Sequence, residues 1–233
     1  MELSLTSREV TSLSGLILLM HRADDYHVLC KRTLVHLSSL INFSKGIVFR
    51  IDGQDGELIY SDPVTLNRNN ISFSEEEFIS GKYRSAWLMN TSFLQSTVFR
   101  STDIRDESVF TQSSIYKNVY EPQNIYYGIQ NVLVGNEEKL GLLGVFRARE
   151  EGDFTEKDVF IISTIMPHLE YKLRQLKLGA SGGAGFLGED NFKKIYKRII
   201  ETVMNASRDT HIVVQSILPL SDKSVKYYKK LTK

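Results

Sequence analysis

The clearest pattern of apolar and polar positions lies at residues 155–177. Val159, Ile162, Met166, Leu169, Leu173 and Leu176 recur at spacings of three and four, which predicts a long amphipathic helix. Thr155 stands where a capping side chain belongs, and Glu156 and Asp158 fill the first turn, where the helix dipole favours negative charge. Lys172, Arg174 and Lys177 supply positive charge towards the other end. Pro167 removes one N–H and predicts a kink near Ser163. Such a seam on a closing helix also predicts a homodimer through residues 155–177.

The same reading gives two earlier helices. One covers 7–20 with Ser7 as cap. The other covers 24–41, capped by Asp24 or Asp25, with Leu29, Thr33, Leu37, Leu40 and Ile41 as its apolar face. Strands are predicted at 46–51 and 57–61, flanking Asp-Gly-Gln-Asp-Gly, and at 97–101. Ser74 and Glu77 form a capping box that starts a short helix over 74–83, with a loop after it at 84–96. Residues 106–120 read as a helix ending before Pro122. Residues 126–148 read as a second hairpin turning at Gly135–Asn136.

This order predicts an α+β fold, an antiparallel sheet with helices packed on it, over residues 1–178. Gly-Ala-Ser-Gly-Gly-Ala-Gly opens a flexible linker at 179–189. A C-terminal region, 190–233, follows: a helix over 190–205, an apolar segment at 210–218 and a basic helix at 221–232. The β-branched run at 212–214 makes 210–220 either helix or strand, and the choice discriminates between functions.

The net charge of +1 conceals a split. Residues 1–190 carry 19 Lys/Arg against 25 Asp/Glu, whereas residues 191–233 carry 10 against 3. A basic tail after an acidic domain is the footprint of a nucleic-acid partner, or of a solvated helix with none. Lys223, Lys226, Lys229, Lys230 and Lys233 fall at helical spacing, with Ser224 and Tyr227 able to bond phosphate or base edges. No apolar run reaches the length of a membrane span, and LSGLILLM at 13–20 lacks the features of a signal peptide. The single cysteine, Cys30, excludes an internal disulfide and fits a cytoplasmic protein. It falls in an apolar helical pattern, as a buried thiol would.

No phosphate-binding loop, dinucleotide fingerprint or nucleophile elbow is present. The five histidines form no metal-ligand spacing, and His168 reads as a satisfied histidine on the surface of the closing helix. The chain is therefore read as no enzyme, with no cofactor and no metal.

Four segments carry a resemblance: FISGKYRSAW (78–87), VFRSTDIRDESVF (98–110), IYKNVYEPQNIYYGI (115–129) and the stretch from Gly144 to the end of the long helix. Together they resemble the GAF-like sensory domains of LuxR-type transcription regulators. The resemblance implies a small-molecule pocket over the sheet, followed by a DNA-binding helix-turn-helix. The aromatic-rich middle is the candidate pocket: Tyr83, Trp87, Arg100, Asp103, Tyr116, Tyr120 and Tyr127, with Phe99 and Tyr126 beside them. These residues either line a ligand or build the core, and Arg100 and Asp103 either bond a ligand or pair with each other. Phe49 and Phe146 belong to the core. LPLSDKSVKYYKKL (218–231) resembles the second half of the helix-turn-helix, with Ser221 as cap, and 210–218 would be the helix before it. The implied DNA contacts are Lys223, Ser224, Lys226, Tyr227, Lys229 and Lys230.

Two alternatives stand beside this regulator reading. One is a ligand-sensing or dimerisation module without DNA binding. The other rests on residues 191–221, which also resemble the helix–strand unit of SGNH-type hydrolases; without that family's nucleophile and Asp-x-x-His patterns this would be an inactive fragment. A helix at 210–220 supports the regulator, and a strand supports the other two.

Overall fold

A computed structural model of the chain describes residues 4–54, 57–67, 97–135, 138–180 and 212–213. The chain divides into two units, residues 15–186 and residues 1–14 with 187–233.

The larger unit is built on a five-stranded antiparallel sheet. Its strands are β2 (Lys45–Gln54), β3 (Glu57–Asn67), β4 (Thr97–Arg100), β5 (Tyr127–Gly135) and β6 (Glu138–Arg147), in the spatial order β3-β2-β6-β5-β4; β1 and β7 belong to the other unit. Both predicted hairpins form. β2 and β3 run further than the sequence reading, pairing to Gln54↔Glu57, so Asp52–Gln54 are strand. The intervening residues 55–56, like Asn136 of the second turn, lie outside the described residues. β6 occupies the centre, paired with β2 on one side and β5 on the other.

Helices α1 (Ser7–His21), α2 (Tyr26–Leu40) and α4 (Glu156–Ala180) follow the predicted pattern, with α3 (Glu107–Gln112) a short helix between β4 and β5. Asp25 caps α2 by accepting from the Val28 N–H. The cap of α1 is Thr6 rather than Ser7: its Oγ1 accepts from the Glu9 N–H while Glu9 bonds back to the Thr6 N–H, a reciprocal box. Thr155 and Asp158 form the same box at the start of α4.

The predicted helix over 106–120 is broken. Asp106 caps α3, which ends at Ser113 in extended conformation (ψ 150°); a π-helical turn (Tyr116–Tyr120) and a 3-10 turn (Glu121–Gln123) follow. Ser113 explains the break. Its hydroxyl donates to the Phe110 carbonyl and accepts from the Tyr116 N–H, satisfying backbone groups at both sides of the interruption.

The apolar seam of α4 is spent inside the chain. Ile162, Met166, Leu169 and Leu173 are buried, as are Ile161 and Ile165 beside them. At roughly 1.5–3 kcal/mol per buried side chain, these six contribute on the order of 10 kcal/mol or more. The seam that predicted a dimer is thus already covered, and only Val159 and Leu176 at its ends are half-exposed. The helix runs without interruption through Pro167.

In the other unit, β1 (Ser4–Leu5) pairs antiparallel with β7 (Ile212–Val213). The helix that the regulator resemblance implies over 210–218 is therefore strand at these two positions, in line with their β-branched side chains. The predicted helices at 74–83, 190–205 and 221–232, the loop at 84–96 and the linker beyond Ala180 lie outside the described residues.

Candidate functional site

Strand alternation sorts side chains between the two faces of the sheet. One face presents Lys45, Ile47, Phe49 and Ile51 from β2, Gln130, Val132 and Val134 from β5, and Leu142 and Phe146 from β6. Phe110, Ile115, Val119 and Tyr120, from α3 and the turns after it, pack on this face. The other face lies against α2 and α4.

On the α3 side the floor is shaped by Phe146. A Cβ on Gly144 would stand 2.9 Å from its ring and one on Gly128 3.0 Å, so the ring lies flat over two positions that only glycine leaves open. Tyr120 packs on Phe146 with ring centroids 6.4 Å apart. Phe110, Tyr116 and Tyr126 stand nearly edge to face, at 61°, 80° and 87° to one another. The Arg105 guanidinium lies 3.9 Å from the Phe110 ring centre and donates to the Tyr126 carbonyl at 2.7 Å.

Polar groups are embedded in these apolar walls. Lys45, 1% exposed, donates to the Gln123 carbonyl, and burial pulls its ammonium down to about 8. The buried Gln130 amide reaches the Tyr120 hydroxyl at 3.5 Å, and burial raises that phenol's pKa. Three further buried atoms have no hydrogen-bond partner: Gln123 Oε1, Tyr126 Oη and Arg105 Nε. Leaving such groups unpaired costs roughly 1–3 kcal/mol each, so each requires an account.

Only part of the predicted pocket comes together here. Tyr116 and Tyr120 join the α3-side cluster. Arg100 and Tyr127 belong to the opposite face by register, Arg100 opposite Ile129 and Tyr127 opposite Arg147. Arg100 and Asp103 pair with each other, at 2.9 Å. Arg100 also bonds Glu156 at 2.8 Å and the Phe154 carbonyl at 3.2 Å, which ties it to the start of α4. Phe99 and Tyr126 are buried, as are Phe49 and Phe146. Tyr83, Trp87, Lys223, Ser224, Lys226, Tyr227, Lys229 and Lys230 lie outside the described residues.

Sequence reasoning passed over Lys45, Arg105, Phe110, Gln123 and Gln130. The signal for Gln130 was present: Gln130–Asn131 is a polar pair in the middle of an apolar strand, so each face receives one buried amide. Asn131, on the helix side, is 1% exposed, and neither end of its amide is bonded.

On the helix side, His21 Nε2 and His168 Nδ1 are 3.1 Å apart, one ring donating to the other. Burial lowers both to about 4, and for His21 the neighbouring His168 and Lys172 add to the effect. Lys172 donates to the His21 carbonyl at the end of α1. His168 is thus satisfied by a partner that its sequence position did not reveal. Cys30 is buried, and burial pushes its thiol up to about 12. Among the described residues, no three His, Cys, Asp or Glu side chains are grouped to hold a metal, and no helix is long and apolar enough to cross a membrane.

No family model matches the chain, and no curated protein matches it in sequence. Solved structures do match. A far-red-absorbing protein in its dark state with bound biliverdin IXa is 13% identical, at a TM-score of 0.52, with 71% of this chain and 99% of that one covered. The LBD domain of VqsR from Pseudomonas aeruginosa is 14% identical at 0.50, covering 71% and 94%. The GAF domain of a phosphoenolpyruvate-protein phosphotransferase from Coxiella burnetii is 15% identical at 0.50, covering 74% and 96%. The α+β architecture with its antiparallel sheet is therefore a GAF-like fold.

Proposed function

We propose that the GAF-like unit is a small-molecule sensor whose ligand lies on the α3 side of the sheet. The observation that carries this reading is the set of buried, unpaired polar atoms on Arg105, Gln123 and Tyr126 among aromatic walls. A ligand that supplies their partners removes a cost the chain otherwise bears. The likeness to a biliverdin-bound structure and to the VqsR LBD domain supports this use of the fold. The test is a thermal-shift screen of the full chain against bilins, cyclic nucleotides and heterocyclic metabolites. A ligand at 100 times its Kd raises stability by about 2.7 kcal/mol. That shift should disappear in Gln130→Leu and persist in Asn131→Leu, which alters the opposite face. A hit indifferent to Gln130→Leu would place binding elsewhere.

A second reading, favoured by the charge split, makes the chain a transcription regulator in which residues 221–233 bind DNA. Two to four phosphate contacts would give a log–log salt slope of roughly −2 to −4. Replacing Lys226, Lys229 and Lys230 with Gln should flatten the slope measured by fluorescence anisotropy on a labelled duplex. No binding at about 50 mM salt leaves a sensor without DNA binding. The strand at Ile212–Val213 is the conformation that this sensor-only alternative and the hydrolase-like alternative expect.

A further inference from the structure

A recess of about 40 Å³ lies on the helix side of the sheet, lined by Tyr26, Arg50, Leu140, Leu173, Leu176 and Lys177. It is remote in chemistry from the α3-side cluster and shares none of its residues. We propose that it binds a small oxyanion group, a carboxylate or a phosphate.

The lining side chains direct the choice. Tyr26 is 3% exposed, yet its hydroxyl has no hydrogen-bond partner. Burial raises its pKa, so the group is a neutral O–H throughout the working range. The Cys30 thiol interacts with it, but not in hydrogen-bond geometry. Arg50 stacks its guanidinium 4.1 Å from the Tyr26 ring centre and spends one terminal nitrogen on Asp62 at 3.3 Å. Lys177, at the rim, pairs with Glu138 at 2.6 Å. The polar side chains that line the recess thus supply O–H and N–H donors, while Leu140, Leu173 and Leu176 supply apolar wall. No carboxylate is among them. An occupant that accepts from several donors at once fits this lining better than water, which also needs acceptors for its own two hydrogens.

Backbone irregularity sets the geometry. The β2–β3 register shifts between Val48 and Arg50, and Asp62, opposite the shift, takes the left-handed conformation at φ 49°. A bulge re-aims the side chains beside it, and here Arg50 lies over Tyr26 with Asp62 holding its outer edge. Asp62 and Glu138 each offset one of the two cations, so attraction rests on directed hydrogen bonds rather than on net charge.

The experiment is isothermal titration of the full chain, in a chloride-free sulfonate buffer, with sodium phosphate and with sodium acetate. Saturable binding of phosphate alone identifies a phosphate site, of acetate alone a carboxylate site, and of both a general oxyanion site. Tyr26→Phe keeps the ring and removes the donor; it should weaken binding by about tenfold or more, as loss of a hydrogen bond to a charged group does. Arg50→Gln should weaken it at least as much. Arg50 is partly exposed, so its variant gives the readout if Tyr26→Phe fails to fold. No saturable binding of either anion up to tens of millimolar overturns the proposal, as does an affinity unchanged in folded Tyr26→Phe and Arg50→Gln.

Discussion

The His21–His168 pair makes stability depend on pH in a defined window. Each imidazole is lowered from 6.5 to about 4, chiefly by burial. Between those values the unfolded chain binds protons that the folded chain refuses, so stability is intact above pH 6.5 and falls as the pH drops towards 4. For one group with these two pKa values, the loss at pH 5 is about 2 kcal/mol. The His21 ring is partly open to solvent, so its share is taken at about half. The pair together then loses about 3 kcal/mol between pH 7 and pH 5, a large part of a typical domain stability of 5–15 kcal/mol. Asp25, Asp106 and Glu150 have lowered pKa values, from ordinary values of 3.8, 3.8 and 4.5. Their stabilisation is lost only as the pH falls through that lower range, which leaves the window to the histidines. Urea unfolding followed by circular dichroism at pH 7, 6 and 5 should show the midpoint falling. The double variant His21→Asn with His168→Gln should flatten the fall. An equal midpoint at pH 7 and pH 5, or an undiminished fall in the double variant, would refute the reasoning.

Three further outcomes are expected from denaturant unfolding at pH 7. Asn131→Leu should stabilise by about 1–2 kcal/mol, because an amide unpaired at both ends gives way to an apolar side chain of similar size; a loss of stability would show that the amide has a partner, such as a buried water. Gly141→Ala should destabilise by about 1–3 kcal/mol or more, because its Cβ would meet the Phe49 carbonyl oxygen at 2.5 Å and backbone must move; an unchanged midpoint would contradict that packing. Arg147→Met should cost about 3–5 kcal/mol, since it leaves Asp158 buried without its cation; a cost below 1 kcal/mol would mean the corner is held by other contacts.

Local signals were legible where they are self-sufficient. The Asp25 and Thr155 caps and the two hairpins rest on residues a few positions apart, and each formed. The break at Ser113 was not legible, because a serine hydroxyl that bonds both sides of an interruption looks the same in sequence as one inside a helix. The α4 stripe was legible as apolar, but its partner was not: periodicity gives the buried face, not what buries it. The candidate site suffered from the same limit. Tyr116, Tyr120, Arg100 and Tyr127 are close in sequence, yet strand register sends Arg100 and Tyr127 to the opposite face from the other two. Lys45 escaped notice because a lone lysine at the start of an apolar strand carries no pattern of its own.

The start of α4 is fastened at several points. Arg147, stacked 4.0 Å from the Phe154 ring centre, bonds the Asn42 and Asp153 carbonyls and Asp158. Arg100 bonds the Phe154 carbonyl and Glu156, and Thr102 bonds Asp153 at 2.6 Å. The helix that leaves this corner is 25 residues long, about 37 Å at 1.5 Å per residue. It is held again near its far end, where Lys172 bonds the His21 carbonyl and Lys177 bonds Glu138, and buried side chains from Ile161 to Leu173 seat the length between. A rod pinned near both ends and seated along its length has no free arm: it can shift only together with the strands beneath it.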